Sequence, residues 1–123
     1  MTQPSAADSI RKASALGALG FGGVAVVLPR LFTALYGLTS DPNVRTLTRL
    51  WGTRTAALGA IILSAERPED QRQLMMLGTA MNAADALVAM TAGGNVSARG
   101  RFLGALTSGG FAAAGVYALA TSK

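Results

Sequence analysis

The chain contains no cysteine and no histidine, and only 14% of its 123 residues are charged. Without cysteine there can be no disulfide or thiolate-bound metal, and without histidine no histidine-ligated haem or histidine acid–base chemistry. We therefore expect no metal site and no cofactor. An ordinary soluble domain carries about 25% charged residues, so the shortage of charge also argues against a soluble protein.

The composition favours a membrane protein. Half of the residues are hydrophobic, 15 are glycine, and the mean hydropathy is positive at +0.38. The net charge is +5, but no basic stripe with interleaved aromatic residues points to nucleic acid. The basic residues cluster at segment ends, as they do beside anionic lipid headgroups. We expect a plasma-membrane or inner-membrane protein in contact with lipids.

Four apolar segments predict four helices within a single domain covering residues 1–123. Residues 1–12 form a polar N-terminal segment. The predicted helices cover residues 13–28, 42–65, 70–91 and 97–120, the last beginning at Ser97 or Arg101. Pro29-Arg30 would kink or end the first helix, with residues 31–38 continuing it at the membrane interface. Asp41 is expected to cap the second helix.

The connections between these helices are short, which places sequential helices antiparallel and adjacent. The predicted fold is therefore all-α, an integral membrane antiparallel four-helix bundle. An even number of spans puts both termini and the polar loop at residues 66–73 on one side. The basic residues divide equally between the two sides, so the orientation is not predicted.

One charge of each sign lies inside two different apolar segments, and the chain between them forms a hairpin. Arg54 and Asp85 are equally far from the polar turn at residues 66–73, whose midpoint lies between Glu69 and Asp70. At a rise of ~1.5 Å per residue, both would lie about 16–20 Å beyond the turn. Asn82 is one helical turn from Asp85 and shares its face. The sequence thus predicts an intramembrane polar cluster of Arg54, Asp85 and Asn82.

Two interpretations of this cluster remain open. In the first, a buried ion pair simply fixes the second helix against the third. In the second, the carboxylate titrates in a proton or substrate site and the guanidinium sets its pKa. Asp85 is the only acid within the apolar segments, so a catalytic pair of carboxylates is missing. We assign no catalytic residue, and this argues against an enzyme.

Small residues at four-residue spacing indicate close contact between helices. Such spacings occur at Gly52-Ala56-Ala60, Gly104-Ser108-Ala112 and Gly110-Ala114-Ala118, and they allow helix backbones to approach. We expect the glycines to pack against neighbouring helices at four positions: Gly52, Gly59, Gly104 and Gly110.

Two short stretches resemble a family of small bacterial and fungal membrane proteins known only as a domain of unknown function. They are Arg49-Leu50-Trp51-Gly52-Thr53-Arg54-Thr55-Ala56-Ala57-Leu58-Gly59 and Ala83-Ala84-Asp85-Ala86-Leu87. The resemblance implies four helices, a Gly-x-Arg-x-x-x-x-Gly stretch in the second and an Asp in the third. Gly52, Arg54, Gly59 and Asp85 match that pattern, whereas Thr55 replaces a residue that is often acidic. The composition is similar to that of high-GC actinobacterial proteins.

Two functions from different classes fit these observations. The first is a structural or accessory subunit that binds a larger membrane complex or itself. The second is a small transporter or membrane enzyme handling a lipophilic substrate at Arg54, Asp85 and Asn82. Four-helix multidrug exporters use a carboxylate in the first helix, and residues 13–28 contain none. A polar cavity at the pair would favour the second function, and a dry, packed pair the first.

Overall fold

The computed structural model describes residues 3–94 and 96–122, and its regular secondary structure within those ranges is entirely helical. The all-α prediction is confirmed. Met1, Thr2, Asn95 and Lys123 lie outside the described residues, so the predicted break at 93–95 is described only in part. The helices are α1 (Ala6–Val27), α2 (Pro29–Leu35), α3 (Pro42–Ser64), α4 (Pro68–Thr91) and α5 (Ala98–Thr121).

Helix α1 begins earlier than its apolar run suggested, because local polar contacts extend it. Ser5 is the N-cap, and its side chain accepts a hydrogen bond from the Asp8 amide at 3.1 Å. Asp8 then pairs with Lys12, one turn further along, at 3.0 Å. Capping and pairing of this kind stabilise a first helical turn. Residues 6–12, expected to form a polar segment, are therefore helical.

Pro29 separates α1 from a short helix instead of only bending it. Leu28 lies between α1 and α2, and Pro29 occupies the first turn of α2. Phe32 in α2 stacks on Tyr36, with ring centroids 4.7 Å apart, and lies 5.2 Å from Trp51 in α3. The aromatic residues of this region therefore join α2 to α3.

The predicted start of α3 is confirmed. Asp41 is its N-cap, with Oδ1 accepting from the Val44 amide at 2.9 Å, and Pro42 stands in the first turn. Proline suits that position because the amide it lacks would have no helical partner. Helix α4 begins with a proline as well, Pro68, two residues before the predicted start.

The long helices run alternately up and down but do not form a regular four-helix bundle. Contact is extensive within two pairs, α1 with α3 and α4 with α5, and α1 also touches α5. Helices α3 and α4 share few contacts. The prediction that neighbours in sequence pack together is right for the first and second predicted helices, α1 and α3, and for α4 and α5. It is wrong for α3 and α4, because α3 packs chiefly against α1.

Glycine determines this choice of partner for α3. A methyl group on Gly52 would lie 2.7 Å from the carbonyl oxygen of Gly22, and one on Gly59 would lie 2.6 Å from that of Ala15. Both distances are far below van der Waals contact. The backbones of α1 and α3 therefore approach closely only because these positions lack a side chain.

Three helices are long and apolar enough to cross a membrane: α1, α4 and α5. The fourth predicted span, α3, does not reach that hydropathy, since Arg45, Arg49 and Arg54 lie along it. Large hydrophobic side chains face outward on the spanning helices, and contiguous exposed apolar surface marks contact with lipid or protein. The helices indicate a membrane protein. Examples of these outward-facing residues are Leu16, Val27, Leu87, Val88, Phe102 and Leu106.

Both described ends of the chain lie at one end of the molecule. Arg11 near the start of α1 donates a hydrogen bond to the Ile62 carbonyl near the end of α3, at 2.9 Å. Ser5, Pro68 and Ser122 line one pocket there. We call this the terminal end. It contains the connection between α3 and α4, as predicted, although Met1 and Lys123 themselves lie outside the described residues. The predicted polar loop at 66–73 is shorter in the structure, because Pro68 and the acidic residues of the first turn start α4 at residue 68.

Candidate functional site

The structure brings Arg54 and Asp85 together. Arg54 Nη2 donates to Asp85 Oδ2 at 2.6 Å. The two residues therefore lie at the same depth along α3 and α4, as their equal distances from the turn predicted. The two side chains are 43% and 25% exposed, so neither is enclosed by tight packing. Because α3 and α4 otherwise share few contacts, this ion pair bridges a gap between them.

A cavity of about 60 Å³ lies beside the pair, and all four long helices line it. A cavity of this size holds a few waters. Its ionisable lining consists of Arg54 and Asp85. The neutral polar lining comprises Ser14, Thr55, Thr79, Asn82, Thr107 and Ser108. The apolar wall includes Phe21, Trp51, Leu58, Ile62, Met75 and Phe111.

Asn82 lines the same cavity, but its hydrogen bond runs along its own helix and not to the ion pair. Its Nδ2 donates to the Gly78 carbonyl at 2.9 Å, one turn back along α4. Among the described residues, no hydrogen bond joins Asn82 to Arg54 or Asp85. Asn82 and Asp85 therefore lie on the same face of α4, as predicted. In the described part of the chain the Asn82 amide makes no hydrogen bond to the ion pair, so Arg54 and Asp85 can bond to other groups in the cavity.

Thr79 contributes a hydroxyl that has no hydrogen-bond partner among the described residues, although the oxygen is buried. It packs so closely against Gly115 that a methyl group there would collide with Oγ1. A buried polar atom without a partner costs free energy. The sequence contained no signal that Gly115 in α5 lies opposite Thr79.

Three of the four glycines that were expected to pack against neighbouring helices do so. Gly52 and Gly59 meet α1, and a methyl group on Gly104 would lie 3.0 Å from Ala89 Cβ in α4. Gly110 does not take the role expected of it. No atom lies within 4 Å of the place where its methyl group would be, because this part of α5 faces outward.

Sequence analysis missed Arg11, which is buried and only 8% exposed. Its Nη1 donates to the Ile62 carbonyl and its Nη2 to Asp8 Oδ1 at 2.8 Å. The guanidinium thus caps a free carbonyl in the last turn of α3, a place that favours a cation. The three-residue spacing from Asp8 was the available signal, but residues 1–12 were interpreted only as a polar N-terminal segment.

The all-helical architecture, three membrane-span-capable helices and an ion pair beside a cavity define a small helical membrane protein. Residues 15–119 match a domain of unknown function, DUF4267, and the chain belongs to that family. The match covers most of the chain, including Arg54, Asp85 and Asn82. No curated protein and no solved structure matches the chain.

Proposed function

We propose that this protein binds a small, mainly apolar molecule in its central cavity, in the plasma or inner membrane. The observation that carries the proposal is the cavity beside the Arg54–Asp85 pair. An ion pair that served only to join helices would be expected to be packed on all sides. Intramembrane charges that line a cavity are more often part of a substrate pathway.

The chemistry of the cavity suggests the kind of ligand. Arg54 and Asp85 neutralise each other, so the lining carries no net charge. Arg54 retains further N–H groups, and Thr79 offers a hydroxyl that has no partner among the described residues. A lipophilic molecule with one or two carbonyl or hydroxyl groups would satisfy these groups and match the apolar wall.

The weak contact between α3 and α4 supports a route into the cavity. These two helices are held together near the middle mainly by the ion pair. If the pair separates, the gap between them opens toward the lipid, and a lipophilic molecule can enter sideways. Binding or transport suits the site better than catalysis, because only one carboxylate lines the cavity and no second acid or base accompanies it.

Mass spectrometry of the protein purified from its native membrane tests this proposal. We expect a stoichiometric small molecule to accompany the wild type, and to be lost when the cavity is filled by Ser108→Leu or when the pair is altered by Asp85→Asn. Gly110→Leu, on the outward face of α5, is the matched control and should retain the molecule. The proposal fails if wild type and Ser108→Leu, both folded, contain the same molecules.

A second candidate is an accessory subunit or a self-associating bundle. Helix α3 favours it, because this helix falls short of the hydropathy of a span and exposes Arg49 and Thr53. A partner helix covering that face would shield these groups from lipid. Purification from native membranes in mild detergent should then yield a defined oligomer or a stoichiometric partner. A monodisperse monomer would contradict this candidate.

A further inference from the structure

A second pocket lies at the terminal end of the molecule, and of the described residues Met75 is the one that also lines the Arg54–Asp85 cavity. Its volume is about 350 Å³, and the first turns of α1 and α4 and the last turns of α5 line it. Met75 and Leu119 are apolar lining residues. Four charged side chains also line the pocket: Asp8, Arg11, Glu69 and Arg72.

Arg11 provides a fixed, buried cation for this pocket. Two of its nitrogens bond to Ile62 and Asp8, which holds the guanidinium in place. Its Nε is buried and has no hydrogen-bond partner among the described residues. A buried donor without an acceptor costs free energy, so the structural role of Arg11 leaves part of its hydrogen-bonding capacity unused.

Arg72 brings a second guanidinium to the pocket from α4. Its Nη1 lies 3.4 Å from the Leu119 carbonyl and 3.3 Å from Ser122 Oγ, both long contacts. No carboxylate pairs with it among the described residues. Two guanidiniums on different helices, facing one pocket, form an arrangement suited to a phosphate group, which arginine binds through paired N–H donors.

The carboxylates restrict which phosphate compound fits. Asp8 is already paired with Arg11 and Lys12, whereas Glu69 is exposed and has no ion pair among the described residues. Two guanidiniums and two carboxylates give the lining no net charge. A head group that is itself neutral overall, with a phosphate and an ammonium, matches this pattern better than an anionic one.

The position of the pocket along the helices suits a phospholipid head group. Arg11 is five residues from the start of α1 and Arg72 four from the start of α4. At ~1.5 Å per residue, both lie about 6–8 Å inside the helix ends. A 22-residue helix is about 33 Å long, only slightly longer than a core about 30 Å thick. Both residues therefore lie within about 6 Å of the boundary between head groups and hydrocarbon, a distance that a long arginine side chain can span.

From these observations we infer that the terminal-end pocket binds the head group of a zwitterionic phospholipid. Arg11 and Arg72 hold the phosphate, and Glu69 faces the ammonium. The apolar lining at Met75 and Leu119 provides a surface for the start of the acyl chains. This site is independent of the ligand proposed for the central cavity.

Lipid titration of the purified protein in detergent, followed by native mass spectrometry, tests the inference. We expect phosphatidylethanolamine to bind more tightly than phosphatidylglycerol, and soluble glycerophosphoethanolamine to bind only weakly. Arg72→Gln should weaken phosphatidylethanolamine binding roughly tenfold, as for a lost charge-assisted hydrogen bond. Arg99→Gln, at the opposite end of the molecule, is the matched control and should leave binding unchanged.

Glu69→Gln tests the choice of head group separately. Removing this carboxylate should reduce the preference for phosphatidylethanolamine over phosphatidylglycerol, because the ammonium loses its partner. Arg72 and Glu69 are exposed, so both variants should fold, and their melting temperatures verify this. Equal binding of the two lipids by the wild type, or an equal loss in Arg72→Gln and Arg99→Gln, would overturn the inference. Soluble glycerophosphoethanolamine binding as tightly as the lipid would exclude a membrane-lipid site.

Discussion

At the scale of single residues, the same residue type has opposite roles at different positions of this chain. Gly59 allows the backbones of α1 and α3 to touch, whereas Gly110 faces open space. Both are helical, and both belong to sequences rich in small residues. The structure shows which of the two glycines is needed for close helix contact: Gly59 is, and Gly110 is not.

Alanine substitution should separate these two glycines. Gly59→Ala places a methyl group 2.6 Å from the Ala15 carbonyl oxygen, and we expect a loss of about 1–3 kcal/mol from overpacking. Gly110→Ala adds a methyl group in open space and should stabilise α5 by up to ~1 kcal/mol. Thermal unfolding in detergent measures both. Equal effects of the two substitutions would contradict the assigned α1–α3 contact.

At the scale of helices, the molecule consists of two closely packed pairs, α1 with α3 and α4 with α5, and the contacts between the pairs are less extensive. Sequence order predicts both pairs, and the close approach of α4 and α5 at Gly104 and Ala89 can be tested by cross-linking. The chain has no cysteine of its own, so introduced cysteines report without interference.

The double variant Ala89→Cys/Gly104→Cys should form a disulfide on mild oxidation. A Cβ at position 104 would lie 3.0 Å from that of residue 89, near the separation of about 3.5–4.5 Å that a disulfide needs. The pair Ala89→Cys/Gly110→Cys should not cross-link, because residue 110 faces away. Gel mobility before and after reduction shows the result, and equal cross-linking of both pairs would refute the assigned helix contact.

The sequence predicted the level of the charged pair, but not that α3 packs against α1 much more extensively than against α4. Counting residues from the turn was enough to align Arg54 with Asp85, because helical rise is nearly constant. It could not show that α3 turns its glycines to α1, since α1 and α4 both offer small residues. Arg11 was missed for a related reason: the length of α1 depends on caps and pairs that hydropathy does not register.

At the scale of the whole molecule, the arrangement fixes which segments share a side of the membrane. The terminal end holds the connection between α3 and α4 and Ser122, while the connection between α2 and α3 lies at the other end, where Gly37 contacts Ser97. If the three apolar helices cross a membrane, this arrangement predicts that α3 crosses with them, despite its lower hydropathy.

Single cysteines labelled with a membrane-impermeant thiol reagent in intact cells test this topology. Glu66→Cys and Ser122→Cys should be either both labelled or both protected. Thr39→Cys should be protected where those two are labelled, and labelled where they are protected. Permeabilised cells, in which all three should react, provide the control. If Thr39→Cys and Ser122→Cys are labelled from the same side, the alternating arrangement of the helices is wrong.

A matched control for the central ion pair exists in the same chain. Arg67 donates two hydrogen bonds to Asp70, and this contact raises the pKa of the Arg67 guanidinium. The pair is exposed and lies outside the cavity. Arg67→Gln and Asp70→Asn, singly or together, should change the melting temperature little, as expected for surface ion pairs.

The central claim is that Arg54 and Asp85 form one neutral unit bridging α3 and α4 beside the cavity. It is tested by the melting temperatures of Arg54→Leu, Asp85→Leu and the double variant in detergent or nanodiscs. Each single variant leaves a lone charge, which costs up to about 2.5–3.5 kcal/mol in a membrane. We predict that the double variant recovers most of the loss seen in either single one. A double variant as unstable as the sum of the singles would show that the two residues do not act as a pair.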